Sequence, residues 1–147
     1  DVIAGVATGG IPQGVLVAQD LGKPFVYVRP SEKAHGLQNK IEGDIKEGQT
    51  VVVIEDLVST GKSSLQAVEA LRANGCQVKG MAAIFTYNLD VAKQAFEQAD
   101  VKLSTITDYH TLIELAAEEN FIRAEDLESL SQWRKNPEEW SEKRMNG

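Results

Sequence analysis

Short runs rich in Val and Ile alternate along this chain with stretches that repeat apolar residues at helical spacing. Such short apolar runs are typical of strands buried on both faces, and parallel strands need the intervening helices as crossovers. The alternation therefore predicts an α/β fold with a mostly parallel sheet flanked by helices. The predicted strands are residues 2–7, 25–28, 50–55, 78–85 and 102–107.

Capping signals and apolar spacing place helices between these strands. Pro12 suits a first helical turn, because an N–H there has no partner within the helix. The stretch after residue 60 repeats apolar residues every three or four positions and ends at Asn74-Gly75, a common helix stop. The predicted helices are residues 11–21, 61–73, a third capped by Asn88, a fourth after Asp108, and a further helix over 121–140.

The length of the chain bounds its organisation. Its 147 residues, 42% of them hydrophobic, suffice for one core, so we predict a single domain over residues 1–147 with a helical tail at about 108–147. The first predicted strand begins at residue 2, directly after Asp1. A strand rarely opens a chain without a lead-in, and we therefore expect a further segment before this point.

The charge of the chain narrows its possible partners. A net charge of −7 argues against nucleic acid, whose phosphates are bound by clustered Lys and Arg. No apolar run approaches the roughly 18 to 20 residues that span a bilayer, so no membrane partner is expected. The single cysteine, Cys76, cannot form an internal disulfide, which fits the reducing cytoplasm. Any anionic ligand must be held by a local positive field.

The segment VVVIEDLVSTGKSS, residues 51–64, is the most informative part of the sequence. Two acids, Glu55 and Asp56, follow an apolar strand, and ligands in open α/β sheets bind at the carboxyl ends of strands. A turn of small residues then leads into a helix, whose first N–H groups and positive dipole end suit a phosphate. The acids repel phosphate but can accept hydrogen bonds from vicinal hydroxyls or hold a metal ion. A ligand with a phosphate and a ribose diol satisfies both halves.

A nucleotide-triphosphate P-loop is the main alternative for this segment. Gly61-Lys62-Ser63 looks like the end of G-x-x-x-x-G-K-[ST]. That pattern requires a glycine five residues before Gly61, where this chain has Asp56, whose carboxylate would face the nucleotide phosphates. The P-loop reading is therefore disfavoured.

The order of four apolar residues, Glu-Asp, two further residues and Ser-Thr-Gly resembles the phosphoribosyl pyrophosphate motif of the type I phosphoribosyltransferases. The resemblance implies that Glu55 and Asp56 contact the ribose hydroxyls and that the loop over residues 58–63 cradles the 5-phosphate. Ser59 matches a position that also approaches the base in the orotate-using branch. The substrate-binding positions implied in this segment are Glu55, Asp56, Leu57, Val58, Ser59, Thr60, Gly61, Lys62 and Ser63.

The segment YVRPSEKAHG, residues 27–36, places three cationic or potentially cationic side chains within seven residues. Donors that close over a departing pyrophosphate would stabilise its developing charge. The spacing Arg-x-x-x-Lys-x-His-Gly resembles the catalytic loop of the orotate-using branch, which is shared between the subunits of a homodimer. The resemblance implies that Arg29, Lys33 and His35 bind pyrophosphate oxygens, with Lys33 and His35 as the catalytic residues.

Two further segments bear on the ligand. Residues 4–12, AGVATGGIP, end a strand in a Gly-rich turn and open a helix, and they resemble the family's pyrophosphate loop, with Thr8 and Gly9 as contacts. Some orotate-using members carry an arginine for the orotate carboxylate after the strand that ends here as IFTY, residues 84–87. This chain has Tyr87-Asn88 there. The residues that recognise the carboxylate therefore stay open.

Taken over nearly the whole chain, the resemblance implies transfer of the phosphoribosyl group from phosphoribosyl pyrophosphate to orotate, in pyrimidine (UMP) biosynthesis. Mg²⁺ is the expected cofactor, carried by the substrate, because it prefers to keep waters and substrate oxygens as ligands. A homodimer that shares the loop over residues 29–36 is expected. Two alternatives stay open: transfer to another base, and a non-catalytic regulator that senses phosphoribosyl pyrophosphate.

Overall fold

Strands and helices alternate throughout the computed structural model, which describes residues 1–29 and 40–145, without the side chains of residues 138, 143 and 144. The predicted α/β fold is confirmed. The strands are β1 Val2–Val6, β2 Phe25–Val28, β3 Ile41–Glu42, β4 Thr50–Val58, β5 Gln77–Thr86 and β6 Leu103–Asp108. The helices are α1 Gly10–Asp20, α2 Lys62–Ala73, α3 Asp90–Gln98, α4 Tyr109–Glu118, α5 Leu127–Lys135 and α6 Pro137–Met145, with a 3-10 turn at Ala124–Asp126.

The six strands form one sheet in the order β3-β2-β1-β4-β5-β6. All neighbouring pairs are parallel except β2 and β3. The chain passes from β1 outward to β2 and from β4 outward in the other direction to β5, so the strand order reverses between β1 and β4. Ligands in open α/β sheets bind at such a switch point, beyond the carboxyl ends of the strands.

The sheet buries apolar side chains on both of its faces. Neighbouring β4 residues show this, because successive side chains of a strand point to opposite faces. Val53 belongs to the larger core cluster, which includes Leu71 of α2 and Phe96 of α3. Ile54 packs with Ile3 and with Ala18 of α1 in a second cluster. The two packed faces hold the turns β1–α1, β4–α2 and β5–α3 at one edge of the sheet.

Most predicted strands agree with the structure to within one residue at each end, and two strands, β3 and β4, depart further from the prediction. β4 continues to Val58, three residues beyond the predicted end, because Leu57 and Val58 still pair with β5. Glu55 and Asp56 therefore lie within the strand and not beyond its end. β3 was not predicted, because two residues are too short to show an alternating pattern.

Two helix predictions were wrong. Asn88 does not cap α3, which begins at Asp90 after Leu89. Asn88 takes a left-handed backbone (φ 54°), and its side-chain amide donates to Asp108 at 2.8 Å, so it is not available to the helix. The predicted helix over 121–140 is a 3-10 turn followed by two helices, broken at Asn136 (φ −152°). The residue before a proline is disfavoured in the helical region, and Pro137 follows this break.

The helix predicted after Asp108 is confirmed. Asp108 is the N-cap of α4, and its carboxylate accepts from the backbone N–H of Thr111 at 3.0 Å. This bond holds the pKa of the Asp108 carboxyl below its usual range. Within the described ranges, no helix is long and apolar enough to cross a membrane.

Candidate functional site

The β1–α1 turn and β4 meet at the switch point of the sheet. A side-chain carbon built on Gly9 would overlap the Asp56 carboxylate, and one built on Gly10 would overlap the carbonyl of Ile54. The peptide between Ala7 and Thr8 is cis, and Thr8 is exposed. Glycine at position 9 thus lets the turn approach the acid, and the structure brings the predicted contacts Thr8 and Gly9 together with Asp56.

Glu55 and Asp56 are neighbours in β4, but their side chains contact different elements: Glu55 contacts α2, and Asp56 lies against the β1–α1 turn. Glu55 is buried, with 4% exposure, and its carboxylate accepts from the hydroxyl of Ser64 in α2 at 2.9 Å. It also accepts from the backbone N–H of Asp56 at 3.1 Å. Asp56 is only half-buried, and one of its oxygens accepts from the N–H of Leu57. Asp56 is therefore the more accessible acid at this edge.

Burial raises the pKa of the Glu55 carboxyl from 4.5 to about 7, with a further contribution from its contact with Asp56. The hydrogen bond from the Ser64 hydroxyl lowers the pKa of Glu55, because it stabilises the ionised carboxylate. Near neutral pH, Glu55 thus exchanges between a neutral and a charged form. A ligand that donates hydrogen bonds here favours the charged form.

The turn between β4 and α2 exposes polar groups at the start of a helix. Ser59, Thr60, Lys62 and Ser63 are exposed, and no side chain caps α2 at Gly61. Gly61 has a φ of 81°, which favours glycine, and Phe96 fills the space next to it. The first N–H groups of a helix have no partner within the helix and can bind an anion. The turn is therefore suited to a phosphate.

The remaining predicted substrate-binding residues differ in which of their groups can contact a ligand. Leu57 is 40% exposed, whereas the side chain of Val58 lies in the core at 1% exposure, so only its backbone can face a ligand. Arg29 directly follows β2, and its Nε lies 3.3 Å from a carboxylate oxygen of Glu42 in β3. The predicted residues Lys33 and His35 lie outside the described residues.

The C-terminal helices form a further wall of this edge, which the sequence patterns did not predict. A cavity of about 470 Å³ lies between the β4–α2 turn, the start of α3 and the junction of α5 and α6. Arg134 of α5 donates from Nη1 to the carbonyl of Asn88 at 2.7 Å. The sequence patterns did not predict this contact, because 46 residues separate the two partners. The residues lining the cavity are Ser59, Thr60, Leu89, Asp90, Val91, Trp133, Lys135, Asn136 and Pro137.

The site has limited means of holding a metal ion by protein groups alone. Carboxylate oxygens are ligands that Mg²⁺ prefers, and Glu55 and Asp56 supply them at the switch point. In the part of the chain that the structure describes, no three His, Cys, Asp or Glu side chains lie close enough to hold a metal ion. These residues fit a metal that keeps most of its ligands from water and substrate.

Comparison with known proteins relates this chain to one family. The family model described as phosphoribosyl transferase domain matches residues 1–118. The orotate phosphoribosyltransferase of Bacteroides fragilis is 55% identical over 140 residues, which cover 95% of this chain and 66% of that protein. The chain thus spans slightly less than two thirds of the length of this curated relative.

Solved structures agree with this relationship. The crystal structure of orotate phosphoribosyltransferase from Aeropyrum pernix has a TM-score of 0.72 and 34% identity, covering 79% of this chain and 64% of that one. The Mycobacterium tuberculosis H37Rv orotate phosphoribosyltransferase in complex with 5-phospho-alpha-D-ribosyl 1-diphosphate has a TM-score of 0.63 and 29% identity. It covers 74% of this chain and 63% of that one.

Proposed function

This chain belongs to the phosphoribosyltransferase family, and from that premise we propose that it transfers the phosphoribosyl group from phosphoribosyl pyrophosphate to orotate. The products are orotidine 5'-phosphate and pyrophosphate, a step in the biosynthesis of the pyrimidine nucleotide UMP. The names of the relatives support orotate as the acceptor, and the Mycobacterium tuberculosis complex supports phosphoribosyl pyrophosphate as the donor.

One geometric observation carries the proposal. The Gly9 turn approaches the Asp56 carboxylate closely, while the uncapped start of α2 lies a few residues further along the same strand and turn. The Asp56 carboxylate, which can accept hydrogen bonds from hydroxyl groups, thus lies between two turns that are suited to phosphates. Phosphoribosyl pyrophosphate has a ribose diol between a 5-phosphate and a pyrophosphate, so its charges match this arrangement.

The proposed reaction needs no covalent intermediate on the protein. A ring nitrogen of orotate attacks the anomeric carbon and gives up its proton to solvent, and the bond from that carbon to pyrophosphate breaks with its electron pair leaving on the pyrophosphate. The ribose carries positive charge in the transition state. Asp56 and Glu55 would orient the diol and place negative charge near the ribose, while the turn over residues 59–63 would hold the 5-phosphate.

We propose Mg²⁺ as the cofactor, with the carboxylates of Glu55 and Asp56 as the nearest protein oxygens. When bound, Mg²⁺ neutralises part of the charge on the pyrophosphate and ribose oxygens. The loop residues Lys33 and His35 stay proposed catalytic contacts of the pyrophosphate, together with Arg29. A homodimer that shares the loop over residues 29–36, located in the cytoplasm, completes the proposal.

Pyrophosphate release tests the proposed function. The full-length protein is mixed with Mg²⁺ and phosphoribosyl pyrophosphate, and orotate, uracil, adenine or hypoxanthine is added in parallel reactions. We expect release with orotate alone. Pyrophosphate release with a different base only would assign the chain to another transferase of the family. No pyrophosphate release with any of the four bases would favour a non-catalytic sensor of phosphoribosyl pyrophosphate.

A further inference from the structure

Arg134, in the last turn of α5, contacts a part of the chain that is 46 residues away in sequence. Its Nη1 donates to the carbonyl of Asn88, in the turn that follows β5. The guanidinium therefore lies next to Leu89, which lines the 470 Å³ cavity together with Ser59 of the β4–α2 turn. This places a cation at the carboxyl edge of the sheet, beside the site described above.

Packing of aromatic side chains fixes α5 in this position. The Trp133 ring lies 5.5 Å from the ring of Tyr87 and 5.2 Å from that of Tyr109. The Tyr109 hydroxyl donates to the carbonyl of Leu130 at 3.3 Å. Tyr87 directly follows β5 and Tyr109 begins α4, so two elements of the core hold Trp133 in place. Arg134 is thus positioned before any ligand binds.

The charge of Arg134 has no carboxylate partner among the residues whose side chains the structure describes. Arg29 and Arg123 each contact a carboxylate, at 3.3 Å from Glu42 and 2.8 Å from Asp126. Arg134 is half-buried, and its one hydrogen bond to a neutral carbonyl uses a single N–H of the five that a guanidinium carries. A partly desolvated cation of this kind favours an anionic ligand, since a carboxylate would restore the interaction lost with water.

Orotate carries such an anion, a carboxylate on its ring that uracil does not have. On the basis of the proposed function, we propose that Arg134 binds the orotate carboxylate and makes the site specific for a carboxylated pyrimidine. The remaining N–H groups of the guanidinium form a fork that matches the two oxygens of a carboxylate. The hydrogen bond from Nη1 to the Asn88 carbonyl holds the guanidinium beside the residue that precedes Leu89, a lining residue of the cavity.

Kinetics of charge-removing variants test this assignment on the full-length protein. R134Q leaves a polar amide at this position but removes the positive charge and the guanidinium fork. We expect the KM for orotate to rise roughly 10- to 100-fold, as for loss of a charged hydrogen bond, with little change in the KM for phosphoribosyl pyrophosphate. R134K keeps the charge without the fork, and its KM for orotate should lie between those of wild type and R134Q.

Arg123 provides the matched control, because it is an exposed arginine in the same C-terminal region that contacts Asp126 and does not line the cavity. R123Q should keep the wild-type KM for orotate. The proposal is overturned if R134Q also keeps that value, if R123Q raises it as much as R134Q does, or if R134Q raises both KM values together with a lower unfolding temperature. Pyrophosphate release by the wild-type protein separates the two proposals. If the wild type releases no pyrophosphate with orotate, the proposed function is overturned as well. If the wild type releases pyrophosphate normally and a variant gives one of the contrary results above, only the role of Arg134 is overturned.

Discussion

At the scale of single residues, the paired acids of β4 have different environments although they are adjacent in sequence. Asp56 faces the Gly9 turn, whereas Glu55 is buried against α2 and accepts from Ser64. The two acids were predicted to play one role, contact with ribose hydroxyls. Their different contacts and burial indicate that Asp56 is the more accessible of the two and that Glu55 is coupled to the start of α2.

The raised pKa of Glu55 predicts a pH dependence of stability. Because the folded pKa of about 7 lies above the ordinary 4.5, the stabilisation is fully present below about pH 4.5 and is lost as the pH rises through 7. The free energy of unfolding should fall over this range by up to about 1.4 kcal/mol per pH unit. Urea unfolding at several pH values measures it.

The variant E55Q should flatten this dependence, since glutamine can accept from Ser64 without titrating. E69Q is the control, because Glu69 lies on the exposed side of α2 and its replacement should leave the slope unchanged. An E55Q protein with the wild-type slope would show that another group causes the dependence.

At the scale of elements, the C-terminal helices are attached to the sheet by aromatic side chains and not by strand pairing. Tyr87, Tyr109 and Trp133 form a cluster with ring centroids 5.2 to 5.8 Å apart. Phe85 of β5 extends it through an edge contact with Tyr87. The spacing of apolar residues predicted that this region is helical, but the break before Pro137 and the partners of α5 follow from the packing.

Replacement of Trp133 by alanine should destabilise the protein, because it removes ring contacts to two elements. We expect a loss of about 2 to 3 kcal/mol in the free energy of unfolding, below the range for a fully buried Trp because this side chain is half-buried. Phe121 is 84% exposed, and F121A should change this energy by less than about 0.5 kcal/mol. Equal effects of W133A and F121A in urea unfolding would contradict the role of the cluster.

At the scale of the whole molecule, the site is assembled from turns that are distant in sequence. The β1–α1 turn and the β4–α2 turn become neighbours because β1 and β4 pair in parallel, with Gly5 opposite Ile54. A ligand that contacts both turns should therefore stabilise the entire sheet. With Mg²⁺ and phosphoribosyl pyrophosphate at about 100 times the dissociation constant, the expected stabilisation is about 2.7 kcal/mol.

The variant G9A should reduce this ligand-induced shift, since the added methyl group overlaps the Asp56 carboxylate. Gly22 is the control: a methyl group there meets no atom within 4 Å, but the φ of 60° costs about 1 kcal/mol, so G22A should melt earlier and keep the full shift. Thermal unfolding with and without ligand measures both. A full shift in G9A would show that close approach of this turn is not needed for binding.

The sequence by itself determined the features whose causes are local. Strand and helix patterns predicted the α/β fold and the positions of most elements, because burial and capping act over a few residues. The phosphate turn over residues 59–63 and the two acids before it were likewise readable, since they occupy one continuous segment. The contributions of Lys33, His35 and a second subunit stay predictions.

Only the tertiary structure decided which distant residues share the site. Strand pairing brings Gly9 to Asp56, and aromatic packing brings Arg134 to Asn88, 46 residues earlier in the chain. The tertiary structure also decided that the Asn88 amide donates a hydrogen bond to Asp108 and does not cap α3, and that Glu55 is buried. These outcomes depend on the crossover directions and on how helices pack across the sheet, and a local pattern of residue types carries no information on either.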